Sequence, residues 1–279
     1  ILAESQRRNT APCVAWAAYH IRALDPEATL VVTPADHLIL REEVFRGAIL
    51  QGMDFVEELP CLLTLGVKPT RAETGYGYIQ IGDESKGAIR TVKTFTEKPN
   101  RELAQVFVDS GEFFWNSGIF IWKAQSIIDA IKRYLPEISM RFESCTESFG
   151  RPGGESVVQK HLAACPNISI DIGIMEKASD VYVLCAEFGW SDVGTWGSLY
   201  ALSQKDTSDN VVLHGRATCY DSHRNIISTS EKKLVILDGL EDYIVTDSEN
   251  VLLICRKSEE QRIRQFVNDA KTRFGNEYV

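Results

Sequence analysis

The early part of the chain alternates short apolar runs with longer stretches in which apolar residues recur at helical spacing. Residues 12–24 and 42–58 show the helical spacing, whereas 30–33 and 62–67 are short and mostly apolar. A short apolar run bounded by turn residues is typical of a buried strand, and helical spacing of apolar groups is typical of an amphipathic helix. The alternation predicts an α/β fold with a mixed, mostly parallel sheet flanked by helices.

The same reasoning extends to residue 203. It predicts strands at 75–82, 89–97, 118–122 and 181–184, and helices at 100–110, 124–134 and 195–203. Residues 143–156 are rich in glycine and contain Pro152, so they are predicted to form a loop.

A cluster of polar turn residues at 206–210 predicts a boundary between two domains. Residues 1–207 would form the α/β domain, and residues 208–279 would form a small β-rich domain that ends in a helix. The second domain is predicted from short strands separated by polar or glycine turns, at 211–214, 225–229, 233–237, 243–246 and 251–255, with an amphipathic helix at 258–274.

Composition and charge exclude several classes of partner. The 279 residues carry a net charge of −9 without a basic run, so neither nucleic acid nor an acidic membrane surface is expected to bind. No run approaches the roughly 18 apolar residues that a membrane span needs. The seven cysteines are scattered, and the first residues lack the order of a signal peptide. These features predict a cytoplasmic protein with reduced cysteines.

Two aspartates follow predicted buried strands and are candidate metal ligands. Asp36 follows the run 30–33, and Asp192 follows the run 181–184. Ligands of open α/β sheets bind at the carboxyl ends of strands, and paired carboxylates suit Mg²⁺, which in turn carries phosphates. Each aspartate alone could instead be a helix cap or a turn residue.

Lys98 and the glycine-rich segment 74–78 are candidate substrate contacts. Lys98 follows the strand 89–97, where its ammonium group could meet a phosphate, the alternative being a solvated lysine in a turn. Gly75 would let the backbone approach a ligand closely, and Tyr76 could flank a sugar ring. The alternative for this segment is a tight turn with core tyrosines.

Polar groups in apolar surroundings provide further candidates. Asn116 lies in the apolar segment 113–120, and a buried amide must be hydrogen-bonded, either to the backbone or to a ligand such as a sugar hydroxyl. Asp171, Glu176 and Lys177 lie near a predicted strand–helix junction. They could bind hydroxyls and phosphate, or they could form an ordinary surface pairing.

The order of these motifs along the chain resembles that of a known family. The motifs are RNTAP at 8–12, PADH at 34–37, ETGYGYI at 73–79, EKP at 97–99, WNSG at 115–118, SID at 169–171, MEK at 175–177 and WSDVG at 190–194. Over essentially the whole chain, this order closely resembles the bacterial mannose-1-phosphate guanylyltransferases, a group within the sugar-phosphate nucleotidyltransferases. The resemblance implies a Rossmann-like nucleotidyltransferase fold. It also implies a reaction in which mannose 1-phosphate attacks the α-phosphorus of GTP, giving GDP-mannose and pyrophosphate.

The resemblance further implies a role for each candidate residue. Asp36 and Asp192 would hold Mg²⁺, or Mn²⁺ in its place, and Lys98 would meet the sugar phosphate. The substrate-binding residues would be Asn9 and Thr10 near the guanine, Gly75, Glu97, Asn116 and Asp171 at the mannose, and additionally Tyr76, Glu176 and Lys177. Positioning and charge stabilisation would then supply most of the acceleration.

One feature of the family does not occur in this sequence. Members begin with a strand and a glycine-rich loop that hold the triphosphate, and no such segment precedes residue 9. We therefore expect an N-terminally incomplete fold and no activity from this chain alone. The alternatives are a non-catalytic sugar-phosphate-binding or regulatory subunit, and a transferase for another pair, such as UTP or dTTP with glucose 1-phosphate. The strands and helix after residue 210 would suit a homodimer interface.

Overall fold

The computed structural model describes residues 1–278 and contains two compact units, Ile1–Trp190 and Ser191–Val279. The helices of the first unit are α1 (Thr10–Leu24), α2 (Glu42–Glu58), α3 (Arg101–Ser110), α4 (Ala124–Tyr134), α5 (Pro136–Glu143) and α6 (Glu155–Ala163). Its strands are β1 (Thr29–Val32), β2 (Leu38–Ile39), β3 (Leu62–Val67), β4 (Tyr78–Lys86), β5 (Ile89–Thr96), β6 (Phe113–Lys123) and β7 (Val181–Cys185). Strand β8 (Trp190–Ser191) crosses the division between the units.

Capping residues and proline account for several helix ends. Asn9 is the N-cap of α1, and Asn100 caps α3 by accepting a hydrogen bond from the Leu103 backbone N at 2.9 Å. Gly111 ends α3 in the left-handed conformation, with φ 71°. Pro136 begins α5, since a first-turn position needs no backbone donor. Within residues 1–278, no helix combines the length and apolar content that crossing a membrane requires.

The central sheet is mixed, in the order β1-β6-β3-β7-β5-β4, and β4 also pairs with β6. The expectation of a mostly parallel sheet is wrong, because only β3 and β7 pair in parallel among the described strands of this sheet. Strand β6 lies between β1 and β3 and runs antiparallel to both. The hairpin of β4 and β5 adds two more antiparallel neighbours, β5 beside β7 and β4 beside β6.

Apolar side chains cover both faces of this sheet. Along β6, Ile119 and Ile121 belong to the core formed with α2 and α3, whereas Phe120 and Trp122 belong to the core formed with α1 and α4. Successive side chains of a strand point to opposite faces, so the helices lie on both sides of the sheet. The predicted α/β class is confirmed.

The described residues of the second unit form short strands and two α-helices, with short 3-10 turns near the end. The strands and α-helices are α7 (Trp196–Leu202), β9 (Val211–His214), β10 (Arg216–Tyr220), β11 (Ile226–Ser228), β12 (Leu234–Asp238), β13 (Tyr243–Ser248), β14 (Val251–Arg256) and α8 (Ile263–Phe274). Strand β11 pairs in parallel with β9 and β13, β10 pairs in parallel with β12, and β14 runs antiparallel to β13. The β-rich character of this region and its terminal helix are confirmed.

Helix α7 packs on the strands of the second unit. Its Trp196 and Leu199 contact the small core of Val211, Ile226 and Ile244. Residues 191–207, which the sequence assigned to the first domain, therefore belong to the second compact unit.

Candidate active site

The register of three strands brings most of the predicted sugar-binding residues together in the first unit. Tyr78 at the start of β4 pairs with Trp115 of β6 and with Thr96 at the end of β5. The residues next to these three, Gly77, Asn116 and Glu97, consequently meet. A Cβ atom placed on Gly77 would lie only 2.8 Å from Glu97 Oε2 and 3.4 Å from Asn116 Cβ, so Gly77 packs directly against both side chains.

Asn116 connects this group to Asp171. Its Nδ2 donates to Asp171 Oδ1 at 2.8 Å, and its Oδ1 accepts from the Gly118 backbone N at 3.1 Å. Asp171 begins a π-helical turn, Asp171–Met175, a local irregularity that often marks functional sites. The amide therefore has protein partners and also orients a carboxylate. We call Glu97, Asn116 and Asp171, together with Gly77, the acidic cluster.

Two lysines accompany the carboxylates of this region. Lys98 Nζ lies 2.9 Å from Glu97 Oε1, and its side chain remains 61% exposed. Its backbone adopts φ 44°, a left-handed conformation that non-glycine residues seldom use and that often occurs at functional positions. Lys177 follows Glu176 in the chain, and its positive charge acts to lower the pKa of that carboxyl.

Burial and mutual repulsion raise the pKa values of two carboxyl groups in this region, those of Asp171 and Glu176. Burial raises the pKa of Asp171, the negative charge of Glu97 raises it further, and the Asn116 hydrogen bond opposes the shift. Burial also raises the pKa of Glu176, with further increases from Glu97 and Asp171 and an opposing effect from Lys177. Perturbed carboxyl groups of this kind concentrate at functional sites. The arrangement can accept hydrogen bonds from several hydroxyl groups while a lysine meets an anion.

Tyr76 and Gly75 differ in their surroundings. Tyr76 is 5% exposed and makes edge contacts with Trp115 and Trp190, at ring-centroid distances of 5.2 and 5.0 Å. This placement matches the core alternative for Tyr76. Gly75 is partly exposed, and its backbone N donates to Glu73 Oε1 at 3.0 Å.

Asn9 and Thr10 lie at the start of α1 and next to the segment that carries Asp171. Thr10 Oγ1 accepts a hydrogen bond from the Ile170 backbone N at 2.8 Å. Asn9 is exposed, and its side chain accepts from the Thr10 backbone N at 2.9 Å. Thr10 thus joins the beginning of α1 to the Asp171 turn.

Asp36 lies in the first unit on an exposed segment. Its side chain is 90% exposed and lies 4.0 Å from His37 Nε2, while His37 Nδ1 accepts a hydrogen bond from Trp190 Nε1 at 3.0 Å. Gly118 packs beside this segment, because a Cβ atom there would lie 3.4 Å from Pro34. Asp36 therefore lies on a segment that packs against β6 close to Asn116.

Asp192 lies in the second unit, where its Oδ1 accepts a hydrogen bond from Ser198 Oγ at 3.1 Å. Among residues 1–278, no group of three or more His, Cys, Asp or Glu side chains is placed to hold a metal ion. Two carboxylates nevertheless offer the hard oxygen ligands that Mg²⁺ prefers. A Mg²⁺ ion held by Asp36 and Asp192 stays a prediction.

Sequence reasoning missed a buried ion pair beside the glycine segment. Glu73 Oε2 accepts from Arg71 Nη2 at 3.0 Å, and the Glu73 side chain is only 6% exposed. An acidic residue within a polar, glycine-rich run gives no sign of burial. The available signals are its place at the start of the motif at 73–79 and its separation of two residues from Arg71.

Comparisons with known proteins cover both units. Residues 1–209 match the family model for nucleotidyl transferases, and residues 215–269 match the model for a MannoseP isomerase/GMP-like beta-helix domain. The chain is 34% identical over 281 residues to a mannose-1-phosphate guanylyltransferase of Escherichia coli K12, and the match covers 97% of this chain and 58% of that protein. It is 35% identical over 289 residues to mannose-1-phosphate guanylyltransferase 2 of Escherichia coli O157:H7, and the match covers 100% of this chain and 59% of that protein.

A solved structure is also similar over almost the whole chain. It is described as a mannose-1-phosphate geranyltransferase from Thermus thermophilus, with 31% sequence identity and a TM-score of 0.81. The similarity covers 97% of this chain and 77% of that chain. The chain thus spans less than two thirds of the two curated relatives and about three quarters of the solved one.

Proposed function

Because the chain belongs to the nucleotidyl transferase family, we propose that it forms part of an enzyme that transfers GMP from GTP to mannose 1-phosphate. The products are GDP-mannose and pyrophosphate. The names of the two Escherichia coli relatives support this choice of nucleotide and sugar. The observation that carries the proposal is the acidic cluster, in which Glu97 and Asn116 lie against Gly77. Asn116 also donates to Asp171, and the ammonium group of Lys98 lies beside Glu97.

The acidic cluster suits a sugar phosphate for chemical reasons. Sugar hydroxyls donate hydrogen bonds, and the carboxylates of Glu97 and Asp171 are acceptors in a partly buried setting, where such bonds are strong. The exposed ammonium group of Lys98 can attract the phosphate of the same molecule. We propose further contacts from Gly75, through its backbone, and from Glu176 and Lys177.

The reaction needs alignment more than covalent help from the protein. A phosphate oxygen of mannose 1-phosphate attacks the α-phosphorus of GTP, and the bond from that phosphorus to the departing pyrophosphate breaks. Lys98 holds the attacking phosphate, and Asn9 and Thr10 lie towards the guanine. Fixing both reactants in this way converts an encounter of two molecules into a reaction within one site.

Mg²⁺, with Mn²⁺ as a substitute, is part of the proposal. The carboxylates of Asp36 and Asp192 would supply oxygen ligands, and the bound cation would neutralise charge on the triphosphate. The 90% exposure of the Asp36 side chain supports this role, because a carboxylate in water can exchange solvent for a metal–phosphate complex.

The proposal includes a homodimer and a cytoplasmic location. Leu234, Ile236, Leu252 and Ile254 are each more than half exposed on the second unit, and exposed apolar groups of this density often mark interfaces. The seven cysteines of the described residues are all free, as expected in a reducing compartment.

Pyrophosphate release tests the function directly. The protein expressed from its complete coding sequence should release pyrophosphate from GTP and mannose 1-phosphate when Mg²⁺ is present, and chelation should stop the reaction. Binding of mannose 1-phosphate without turnover would favour a non-catalytic subunit instead. Faster turnover of UTP or dTTP with glucose 1-phosphate would contradict the choice of GTP and mannose 1-phosphate as substrates.

A further inference from the structure

A buried carboxylate holds the backbone of the glycine segment at the acidic cluster. Glu73 Oε1 accepts a hydrogen bond from the Gly75 backbone N at 3.0 Å, and Glu73 Oε2 accepts from Arg71 Nη2 at 3.0 Å and from Arg71 Nε at 3.2 Å. The two oxygens of one carboxylate therefore have separate tasks. One oxygen is paired with a cation, and the other fixes a backbone amide of the segment.

A buried tyrosine fixes the backbone of Glu73 itself. The Tyr78 hydroxyl accepts from the Glu73 backbone N at 2.9 Å and donates to the Glu73 carbonyl O at 2.9 Å. Tyr78 is completely buried and begins strand β4, so it is a rigid support. The Tyr78 hydroxyl consequently fixes both backbone polar groups of Glu73, the residue that leads into the glycine segment.

The other end of the segment contacts the acidic cluster. The Gly77 carbonyl O accepts from the Asn116 backbone N at 2.8 Å, and Gly77 lies directly against Glu97. Arg71 also contributes at this end, since its guanidinium lies 5.3 Å from the ring centroid of Trp115, the neighbour of Asn116. The position of this segment therefore bears on both Glu97 and Asn116.

We propose that Glu73, paired with Arg71, is a positioning residue that holds the Gly75–Gly77 segment against Glu97 and Asn116 and thereby sets the affinity for the sugar phosphate. The proposal rests on the proposed function for the identity of the ligand. Glu73 is buried beneath the segment and acts through the groups that would contact the sugar. Its removal should therefore weaken substrate binding more than it slows the chemical step.

The substitution Glu73→Gln tests this role with little change of shape. An amide has one acceptor oxygen where the carboxylate has two, so the variant keeps either the Gly75 contact or the Arg71 contact and loses the other. We expect the Kd for mannose 1-phosphate, measured by calorimetry, to rise about tenfold. In the enzyme made from the complete coding sequence, KM for mannose 1-phosphate should rise while kcat changes less.

Asp247→Asn in the second unit is a matched control. The Asp247 side chain is 5% exposed, accepts from the Ser230 backbone N at 2.9 Å and pairs with Lys233. It thus repeats the burial, the backbone contact and the cation of Glu73 in a region outside the acidic cluster. This control should lower stability by a similar amount and leave the Kd within about twofold of the wild type. An equal change of Kd in both variants would overturn the proposal.

A second variant and a measurement that needs no ligand test the role of Glu73 independently of the proposed function. Tyr78→Phe removes the hydroxyl that holds Glu73, so it should also raise the Kd for mannose 1-phosphate. This variant provides the test in case Glu73→Gln does not fold. Hydrogen exchange of residues 74–77 should become faster in both variants and stay unchanged in Asp247→Asn. If the wild type binds no mannose 1-phosphate, the proposed function fails. Unchanged exchange in these variants would then independently overturn the positioning role.

Discussion

Asp171 combines burial with the nearby charge of Glu97, and both raise the pKa of its carboxyl group. Keeping this group ionised near neutral pH therefore costs folding free energy. The same ionised group is the acceptor that the proposed sugar site needs. Residues placed for function in this way commonly reduce stability.

The substitution Asp171→Asn should separate these two effects. The new side chain can still accept from Asn116, and it no longer repels Glu97, so the free energy of unfolding at neutral pH should stay equal or increase. The affinity for mannose 1-phosphate should fall by about tenfold, because a charged acceptor is lost. Urea unfolding and calorimetry measure the two quantities. Asp109→Asn, at an exposed site in α3, should change neither, and a destabilised Asp171→Asn that keeps its affinity would contradict the argument.

The raised pKa values also predict a pH dependence of stability. A carboxyl group with a raised pKa in the folded protein binds its proton more tightly there than in the unfolded chain, so stability falls as pH rises. For Asp171 the fall begins near the ordinary value of 3.8 and ends above the raised folded value, and Glu176 adds a fall that begins near 4.5. Unfolding midpoints should therefore decline less steeply with pH in Asp171→Asn than in the wild type. Parallel pH profiles of the two proteins would contradict this assignment.

At the scale of elements, the site depends on contacts between parts of the chain that are far apart in sequence. The start of α1 is joined to the Asp171 turn by the hydrogen bond from the Ile170 backbone N to Thr10 Oγ1 and by that from the Ala11 backbone N to the Ile168 carbonyl O. Displacing α1 would therefore displace Asp171.

The substitution Thr10→Val tests this connection. Valine has the shape of threonine without its acceptor, so the Ile170 backbone N would lose its partner at a cost of about 1–3 kcal/mol in the free energy of unfolding. The affinity for the sugar phosphate should fall as well, since Asp171 follows Ile170. Thr10→Ser retains the hydroxyl and should restore both values. Equal behaviour of the valine and serine variants in urea unfolding would show that the hydroxyl is unimportant.

Local patterns predicted most elements of the first unit but not their arrangement. The spacing of apolar residues predicted α2 and β3 because these signals lie within one element. Strand β6 begins at Phe113, five residues before the predicted 118–122, since Asn116 and Gly118 interrupt the apolar pattern that the prediction used. The insertion of β6 between β1 and β3 arises from pairing over long separations, which no local pattern contains.

For the candidate site as well, the sequence predicted individual residues better than their surroundings in the fold. Motif order indicated Glu97, Asn116 and Asp171, and the structure brings these three together. Glu73 opens one of these motifs but received no role, because the burial of that carboxylate depends on Arg71, Tyr78 and the fold around them. Tyr76, indicated as a possible sugar contact, makes edge contacts with Trp115 and Trp190, and its role at the sugar stays a prediction.

At the scale of the whole molecule, the second unit presents an apolar groove to its surroundings. The groove has a volume of about 470 Å³ and is lined by residues of β12 and β14, among them Leu234, Ile236, Leu252 and Ile254. These side chains occupy outward positions of their strands, where alternation would ordinarily place polar groups. Covering them would remove apolar surface from water, which favours association.

If the groove forms the interface of the proposed homodimer, introducing charged side chains there should dissociate the dimer into monomers. In a dimer, Ile236→Lys combined with Ile254→Lys would place two cations against the apolar surface of the partner subunit. In a separate subunit, both cations would stay in water, so the double variant should favour monomers. Sedimentation at increasing protein concentration should show a dimer for the wild type and a monomer for the double variant. Val212→Lys introduces a cation at an exposed apolar position of β9 that does not line the groove, and it should leave the dimer intact. A wild-type protein that stays monomeric at tens of micromolar would assign the groove to another occupant, and a double variant that still dimerises would place the interface elsewhere.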